Sequence, residues 1–287
     1  MDNGGKRVCF ITGGASGIGL GLARALGSHG VAIALTDIDT TLLNVAVQQL
    51  RSEGVTVRGF PLDVTDYEAF VKAAESVRQT FGNVDILCNS AGVALEGPVD
   101  SWSTAGWRWV LDVNVIGVVN GVRSLAPMLA ANPNGGHIVN IASIGGLIGA
   151  GQHGQYAASK FAVVGLSQSL REELAPSGIG VTVVCPGFVR SSIASAGRNA
   201  PPDLVGRQEW LMSEGFSSET RAFFKSMAER IVCGLDPLVV GHMLREAIAR
   251  KDFYVFTEVE FLDEVERRQR WVEKAINRTR GSTDASR

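Results

Sequence analysis

A hydroxyl at Ser143, a phenol at Tyr156 and an ammonium at Lys160 stand in one stretch, S-I-G-G-L-I-G-A-G-Q-H-G-Q-Y-A-A-S-K. Residues at i and i+4 of a helix lie one turn apart on the same face, so Lys160 can hold its positive charge close to the Tyr156 oxygen. A free phenol has a pKa of about 10 and is a poor base near neutrality. A neighbouring cation favours the phenolate and makes the group a workable acid/base. Ser143, at the end of a strand-like run, is placed to donate a hydrogen bond to a substrate oxygen. Asn114, on the preceding long helix, is read as orienting Lys160 or a water beside it. Singly, a helical Tyr and Lys pair also suits a solvated face, and a strand-end Ser a cap. The residues from Gly149 to Gln155, with His153 and Gln155 just ahead of Tyr156, are expected to face the substrate.

A second group of residues suits a phosphate. Thr12-Gly13-Gly14-Ala15-Ser16-Gly17-Ile18-Gly19 follows the first strand-like run and leads into the helix L-G-L-A-R-A-L. Glycines permit a tight turn and close backbone approach, while the free N–H groups and positive end of the following helix attract an anion. Gly13, Ser16, Gly17, Ile18 and Gly19 are therefore read as a pyrophosphate cradle, although their spacing departs from G-x-G-x-x-G. A tight connection is the other reading of such a turn. Asp37 closes the second strand-like run about twenty residues beyond the glycines, where a carboxylate accepts hydrogen bonds from ribose hydroxyls and repels a 2′-phosphate. The cofactor expected is NAD rather than NADP, though an Asp at a strand end is also a common turn residue. Asp63 and Val64 follow a third run and are candidate adenine contacts; Asn89, Ala91 and Gly92 close a fourth with small residues against which a cofactor can lie.

These residues need elements to hold them. Strand-like runs R-V-C-F-I-T, V-A-I-A-L-T, V-T-V-R-G-F, V-D-I-L-C-N, H-I-V-N-I-A, V-T-V-V-C-P and D-F-Y-V-F-T alternate with helix-length amphipathic segments. Such alternation predicts an α/β doubly wound parallel sheet with helices on both faces, in which ligands bind beyond the carboxyl ends of the strands. One catalytic domain over 1–287 is expected. The segment 190–234 breaks the alternation. It is rich in Ser, Gly and Pro yet carries Trp210, Leu211, Met212, Phe216, Phe223 and Phe224, and reads as a helical lid whose aromatics line a substrate pocket. A C-terminal helix is expected over 258–280, packed on the body or on a subunit partner, followed by a disordered tail, 281–287.

At 287 residues the chain is long enough to bury a sizeable core, and 27 Lys plus Arg against 29 Asp plus Glu favour neither nucleic acid nor an anionic membrane as partner. The apolar runs are expected to fall short of the roughly twenty residues that span a bilayer, and the start M-D-N-G-G-K-R lacks a hydrophobic signal segment. A cytoplasmic protein is expected. Four single cysteines and four histidines without ligand spacing imply neither a disulfide framework nor a metal site.

In combination these residues resemble the short-chain dehydrogenase/reductases over nearly the whole length. The resemblance rests on T-G-x-x-x-G-x-G at Thr12 to Gly19, N-S-A-G at Asn89 to Gly92, Asn114, Ser143, Y-x-x-x-K at Tyr156 to Lys160, and P-G-F-V-R-S at Pro186 to Ser191. Ser90 and Ser191 depart conservatively from the family pattern. The resemblance implies a seven-stranded Rossmann sheet of order 3-2-1-4-5-6-7 and NAD(P)-dependent alcohol oxidation or carbonyl reduction. It also implies an Asn114-Ser143-Tyr156-Lys160 tetrad, with Lys160 on the nicotinamide ribose and Tyr156 beside the ring. By the same resemblance Pro186, Gly187, Val189 and Ser191 contact the cofactor, Phe188 the substrate, and the chain forms a homodimer or homotetramer. Within the family the lid and the long C-terminal helix look like the NAD-dependent Cα-dehydrogenases of lignin-derived aryl ethers, which favours a bulky hydrophobic or aromatic secondary alcohol. The alternatives are an NADPH-dependent ketoreductase of a biosynthetic or steroid-like pathway, and a non-catalytic NAD-sensing module.

Overall fold

The computed structural model describes residues 7–95, 97–133 and 135–284. Its strands are β1 (Val8–Thr12), β2 (Ala32–Asp37), β3 (Val57–Pro61), β4 (Ile86–Asn89), β5 (His137–Ile141), β6 (Gly180–Cys185) and β7 (Tyr254–Phe256). They form one seven-stranded sheet in the order β3-β2-β1-β4-β5-β6-β7, parallel at every pairing, as the sequence and the resemblance lead one to expect. Parallel neighbours need long crossovers, and the helices that supply them cover both faces. Side chains alternate between those faces. Cys9, Ile11, Ile33 and Leu35 enter one core, while Val8, Phe10, Ala32 and Ala34 enter the other.

On the first face lie α1 (Gly17–Gly27), α2 (Thr40–Ser52) and α9 (Pro237–Arg250). α1 and α9 touch backbone to backbone, since a Cβ on Gly241 would lie 2.3 Å from the Gly21 carbonyl oxygen. On the second face lie α3 (Tyr67–Phe81), α5 (Gly117–Ala130) and α6 (Gly154–Leu174). α4 (Thr104–Leu111) runs through a π-helical turn, Asp112–Ile116, straight into α5.

The expectation that no apolar run reaches spanning length is corrected here. The continuous helical stretch Thr104–Ala130 has 27 residues and a mean hydropathy of 1.3 over its most apolar window, enough by length and composition to cross a membrane. Its apolar character has a local cause: Val118, Leu125 and Leu129 fill the cores beneath the sheet.

Residues 190–234 fold as a 3-10 turn (Ile193–Asn199), α7 (Pro202–Trp210), a π turn (Leu211–Gly215) and α8 (Ser218–Val232). Ala196, Leu204, Leu211, Phe216 and Phe224 from this segment bury themselves against Val93, Leu95, Trp102 and Val110. α10 occupies Leu262–Asp284, so the helix expected over 258–280 begins later and continues through the first four residues of the expected tail. Residues 285–287, and the N-terminal residues 1–6, lie outside the described part. Packing of α10 on the body is slight: the Arg268 guanidinium stands 5.3 Å over the Phe161 ring, but Trp271 is 66% exposed.

Candidate active site

A cavity of about 850 Å³ opens beyond the carboxyl ends of β1 to β6 and extends beneath the 190–234 segment. Its first wall is the glycine turn. Gly13 has φ +58° and a Cβ there would lie 2.7 Å from the Ala91 Cα, so the turn can approach β4 only without a side chain. Gly17 (φ +52°) is similarly pressed on Ser191, and Ser16 at the start of α1 shares a hydrogen bond of 3.0 Å with Ser192. The first turn of α1 contains no acidic residue, which leaves its positive end uncompensated. Thr12, inside the motif but assigned no role from sequence, locks two strand ends together: its Oγ1 accepts from the Ser90 and Ala91 N–H groups at 3.0 and 3.1 Å.

Gly13, Ser16, Gly17, Ile18, Asp37, Asp63, Val64, Ala91 and Gly92 line this half of the cavity. The Asp37 carboxylate accepts from the Ala15 and Asp39 N–H groups at 3.1 and 3.0 Å, fastening β2 to the glycine turn. Asp63 is held likewise by the Thr65 N–H and hydroxyl at 2.9 and 2.8 Å. The lining cations, Lys160, Arg198 and Arg230, come from α6 and from 190–234, not from the strand ends that carry these carboxylates. A side-chain-free cradle at a helix N-terminus with carboxylates beyond it fits a dinucleotide.

Two residues assigned to the cofactor from sequence do not line the cavity. Asn89 is buried, and its Nδ2 donates to Asn140 Oδ1 at 2.9 Å, because the two are opposite each other in the β4–β5 register. Gly19 packs inward; a Cβ on it would lie 2.5 Å from the Gly13 carbonyl oxygen, so it lets α1 fold back against the turn. Pro186, Gly187, Phe188, Val189 and Ser191, all beyond β6, do line it.

Ser143, Tyr156 and Lys160 meet on the opposite wall. Ser143 Oγ accepts from the Gly145 N–H at 3.1 Å and hydrogen-bonds the Tyr156 hydroxyl. Lys160 Nζ donates to the Ile141 carbonyl at 2.9 Å and stands 5.6 Å from the Tyr156 ring centroid. Burial pulls the Lys160 ammonium down to about 8. Burial also pushes the Tyr156 phenol up, with the Ser143 hydrogen bond opposing it. In this structure the ammonium is tied to β5 and burial is the larger influence on the Tyr156 phenol, whereas the acidification expected from sequence draws on the charge of the nicotinamide ring as well as on Lys160.

Of the two partners expected for Asn114, Lys160 itself is not bonded. Asn114 sits in the π turn, a distortion frequent at functional sites, but does not line the cavity. Its Nδ2 donates to the Val93 carbonyl and to Ser159 Oγ, both at 2.9 Å, and its Oδ1 accepts from the Val93 N–H at 2.8 Å. Asn114 therefore braces the loop after β4 against α6. Ser159, which had no motif to mark it, passes that brace on by donating to the Tyr156 carbonyl at 2.7 Å.

The substrate half of the cavity is apolar, with Ile148, Phe188, Phe223, Met227 and Phe261 among its lining. Of the six apolar residues singled out in 190–234, Phe223 alone lines it; Leu211, Phe216 and Phe224 serve the segment's own core and Trp210 faces outward. His153 lines the cavity, in edge contact with Phe224 (centroids 5.4 Å apart) and tilted against Phe223 (5.8 Å). Gln155 does not. It is wholly buried and its Nε2 donates to the Leu95 carbonyl at 2.9 Å, since one helical step turns it away from Tyr156. Arg230, unmarked in sequence, stacks 4.0 Å over Phe188 and pairs with Glu260.

The short chain dehydrogenase family profile matches residues 7–201. The chain is 33% identical over 262 residues to a C alpha-dehydrogenase of Sphingobium sp., covering 91% of this chain and 83% of that protein. A short chain dehydrogenase/reductase of Burkholderia phymatum, solved in complex with NAD, superposes with a TM-score of 0.86 at 33% identity, covering 96% of this chain and 97% of that one. An actinorhodin polyketide ketoreductase solved with NADPH gives a TM-score of 0.74 at 29% identity, covering 90% and 97%. With the sheet order, the glycine turn and the Ser143, Tyr156 and Lys160 wall all in place, the chain belongs to the short-chain dehydrogenase/reductase family of oxidoreductases.

Proposed function

We propose that the protein transfers a hydride between NAD and a bulky hydrophobic or aromatic secondary alcohol or the matching ketone. The observation that carries this reading is the convergence of Ser143, Tyr156 and Lys160 on one cavity whose other half pairs a glycine cradle with Asp37. When bound, NAD supplies the hydride acceptor. Ser143 polarises the substrate oxygen, Tyr156 exchanges the proton of that oxygen as general acid or base, and Lys160 provides the nearby positive charge and a hydrogen bond to the nicotinamide ribose. The apolar lining favours an aryl or alkyl secondary alcohol over a sugar. The C alpha-dehydrogenase relative points the same way. Residues 190–234 act as the lid over that substrate, within a soluble cytoplasmic enzyme that assembles as a homodimer or homotetramer and needs neither nucleic acid nor membrane.

The second reading is an NADPH-dependent ketoreductase, favoured by the NADPH bound to the polyketide ketoreductase relative. Asp37 weighs against it, because a carboxylate tied to the Ala15 N–H leaves a 2′-phosphate facing like charge. Absorbance at 340 nm with a panel of aromatic, steroid and aliphatic secondary alcohols and their ketones, run with both cofactors, tests the choice. NAD-linked turnover of aryl or bulky alcohols is expected; turnover confined to NADPH and ketones would overturn the first reading in favour of the second.

A further inference from the structure

Six buried side-chain atoms lack a hydrogen-bond partner among the described residues: Asn89 Oδ1, Ser124 Oγ, Gln152 Oε1, His153 Nε2, Gln155 Oε1 and Arg245 Nε. Only His153 also lines the cavity. It caps α6 three residues ahead of Tyr156, so the two side chains lie on one face of that helix and share one wall of the site. The surroundings of its ring are aromatic, Phe224 edge-on and Phe223 tilted, both from α8 of the 190–234 segment. Buried polar atoms without partners are rare, and each calls for an explanation such as a ligand group that completes it. Burial holds the imidazole pKa below its usual value, so near neutrality the ring is uncharged and its Nε2 either donates or accepts according to tautomer.

We infer that His153 Nε2 hydrogen-bonds a second oxygen or nitrogen of the substrate, and that the natural substrate is a polyfunctional secondary alcohol such as a diol, a hydroxy ketone or an alkoxy alcohol. This inference rests on the proposed alcohol oxidation and adds the chemical class of the substrate. Flanked by Phe223 and Phe224, such a nitrogen discriminates by what it lacks: a substrate without the second polar atom leaves it unpaired, whereas one that has it restores the bond. Sites built to hydrogen-bond a substrate group reject the analogue lacking it far more strongly than apolar pockets reject a missing methylene.

The test compares 1-phenylethanol with 1-phenylethane-1,2-diol and 2-methoxy-1-phenylethanol, as kcat/KM in wild type and in His153→Phe, His153→Leu and His153→Gln, each first checked for folding by NAD titration. Wild type is expected to prefer an oxygenated substrate over 1-phenylethanol. That preference should fall about tenfold in whichever apolar variant folds, the scale of losing a hydrogen bond to a buried polar group, and His153→Gln should recover part of it. A wild-type preference at or below unity, or one that stays within about twofold after the apolar replacement, overturns the inference and leaves the alcohol reading standing. No turnover of any alcohol or ketone with either cofactor overturns both.

Discussion

Tyr156 and Lys160 face the same solvent-poor cavity with opposite consequences for charge. Burial favours the neutral phenol at Tyr156 and weakens the ammonium at Lys160. Removing the phenolic oxygen removes the proton carrier but little of the binding surface. Tyr156→Phe is expected to lower kcat by roughly 10² to 10⁴, the usual scale of general acid/base catalysis, with NAD affinity retained in a fluorescence titration. The Lys160 shift has a stability consequence with a defined sign. Its folded pKa of about 8 lies below the ordinary 10.5, so the charged lysine destabilises the fold fully below pH 8, and the penalty disappears as pH rises toward 10.5. Relative to Lys160→Met, wild type should therefore gain about 3 kcal/mol between pH 7 and pH 10.5 in urea unfolding, from 1.36 kcal/mol per pKa unit. A pH-independent difference would contradict a buried ammonium.

Between elements, backbone contact does what side chains cannot. α1 and α9 cross at Gly21 and Gly241, and a Cβ on Gly21 would fall 2.0 Å from the Pro237 carbonyl oxygen. Alanine at such a position gains up to about 1 kcal/mol of helix propensity over glycine. Here the clash is with backbone, which cannot swing aside, so overpacking wins. Gly241→Ala is expected to destabilise the protein by about 1–3 kcal/mol, read as a lowered midpoint in thermal or urea unfolding. Because α1 begins at the phosphate cradle, the same variant should also bind NAD more weakly. Asn114 shows a comparable economy: one amide at the π turn joins the loop after β4 to α6, so the floor and the catalytic wall move as one.

At the scale of the whole molecule the cavity gathers residues from Gly13 to Phe261, drawn from six strand ends, α6 and the 190–234 segment among others. A ligand that binds only when these are assembled stabilises the entire fold. NAD at a hundred times its Kd should raise the unfolding free energy by about 2.7 kcal/mol, visible as an upward thermal shift. NADP should give a smaller shift at equal concentration, and Asp37→Ser should narrow the gap between the two. A larger shift with NADP in the unaltered protein would contradict the role given to Asp37.

The sequence by itself determined the alternation that makes a parallel sheet, the glycine cradle, Asp37 and the Ser143, Tyr156 and Lys160 wall, because each depends on local spacing: a turn after a strand, one helical turn, a strand end; the strand order came from the resemblance to the family and not from spacing. The seven strands fall within two or three residues of their apolar runs for the same reason. Tertiary structure decided what those spacings cannot encode. Asn89 looks like a cofactor contact in sequence and Asn114 like a group that orients Lys160 or a water, yet each turns its amide N–H to a neighbouring element. Gln155 lies beside Tyr156 in the chain but points to Leu95, because adjacent helical residues face different ways. The 190–234 aromatics illustrate the limit most clearly, since whether a phenylalanine lines a cavity or fills its own segment's core depends on which surface that segment meets. Ser159 sits within the Tyr156 to Lys160 turn, but its bracing role depends on Asn114 arriving from another element, and Arg230 carries no local pattern at all.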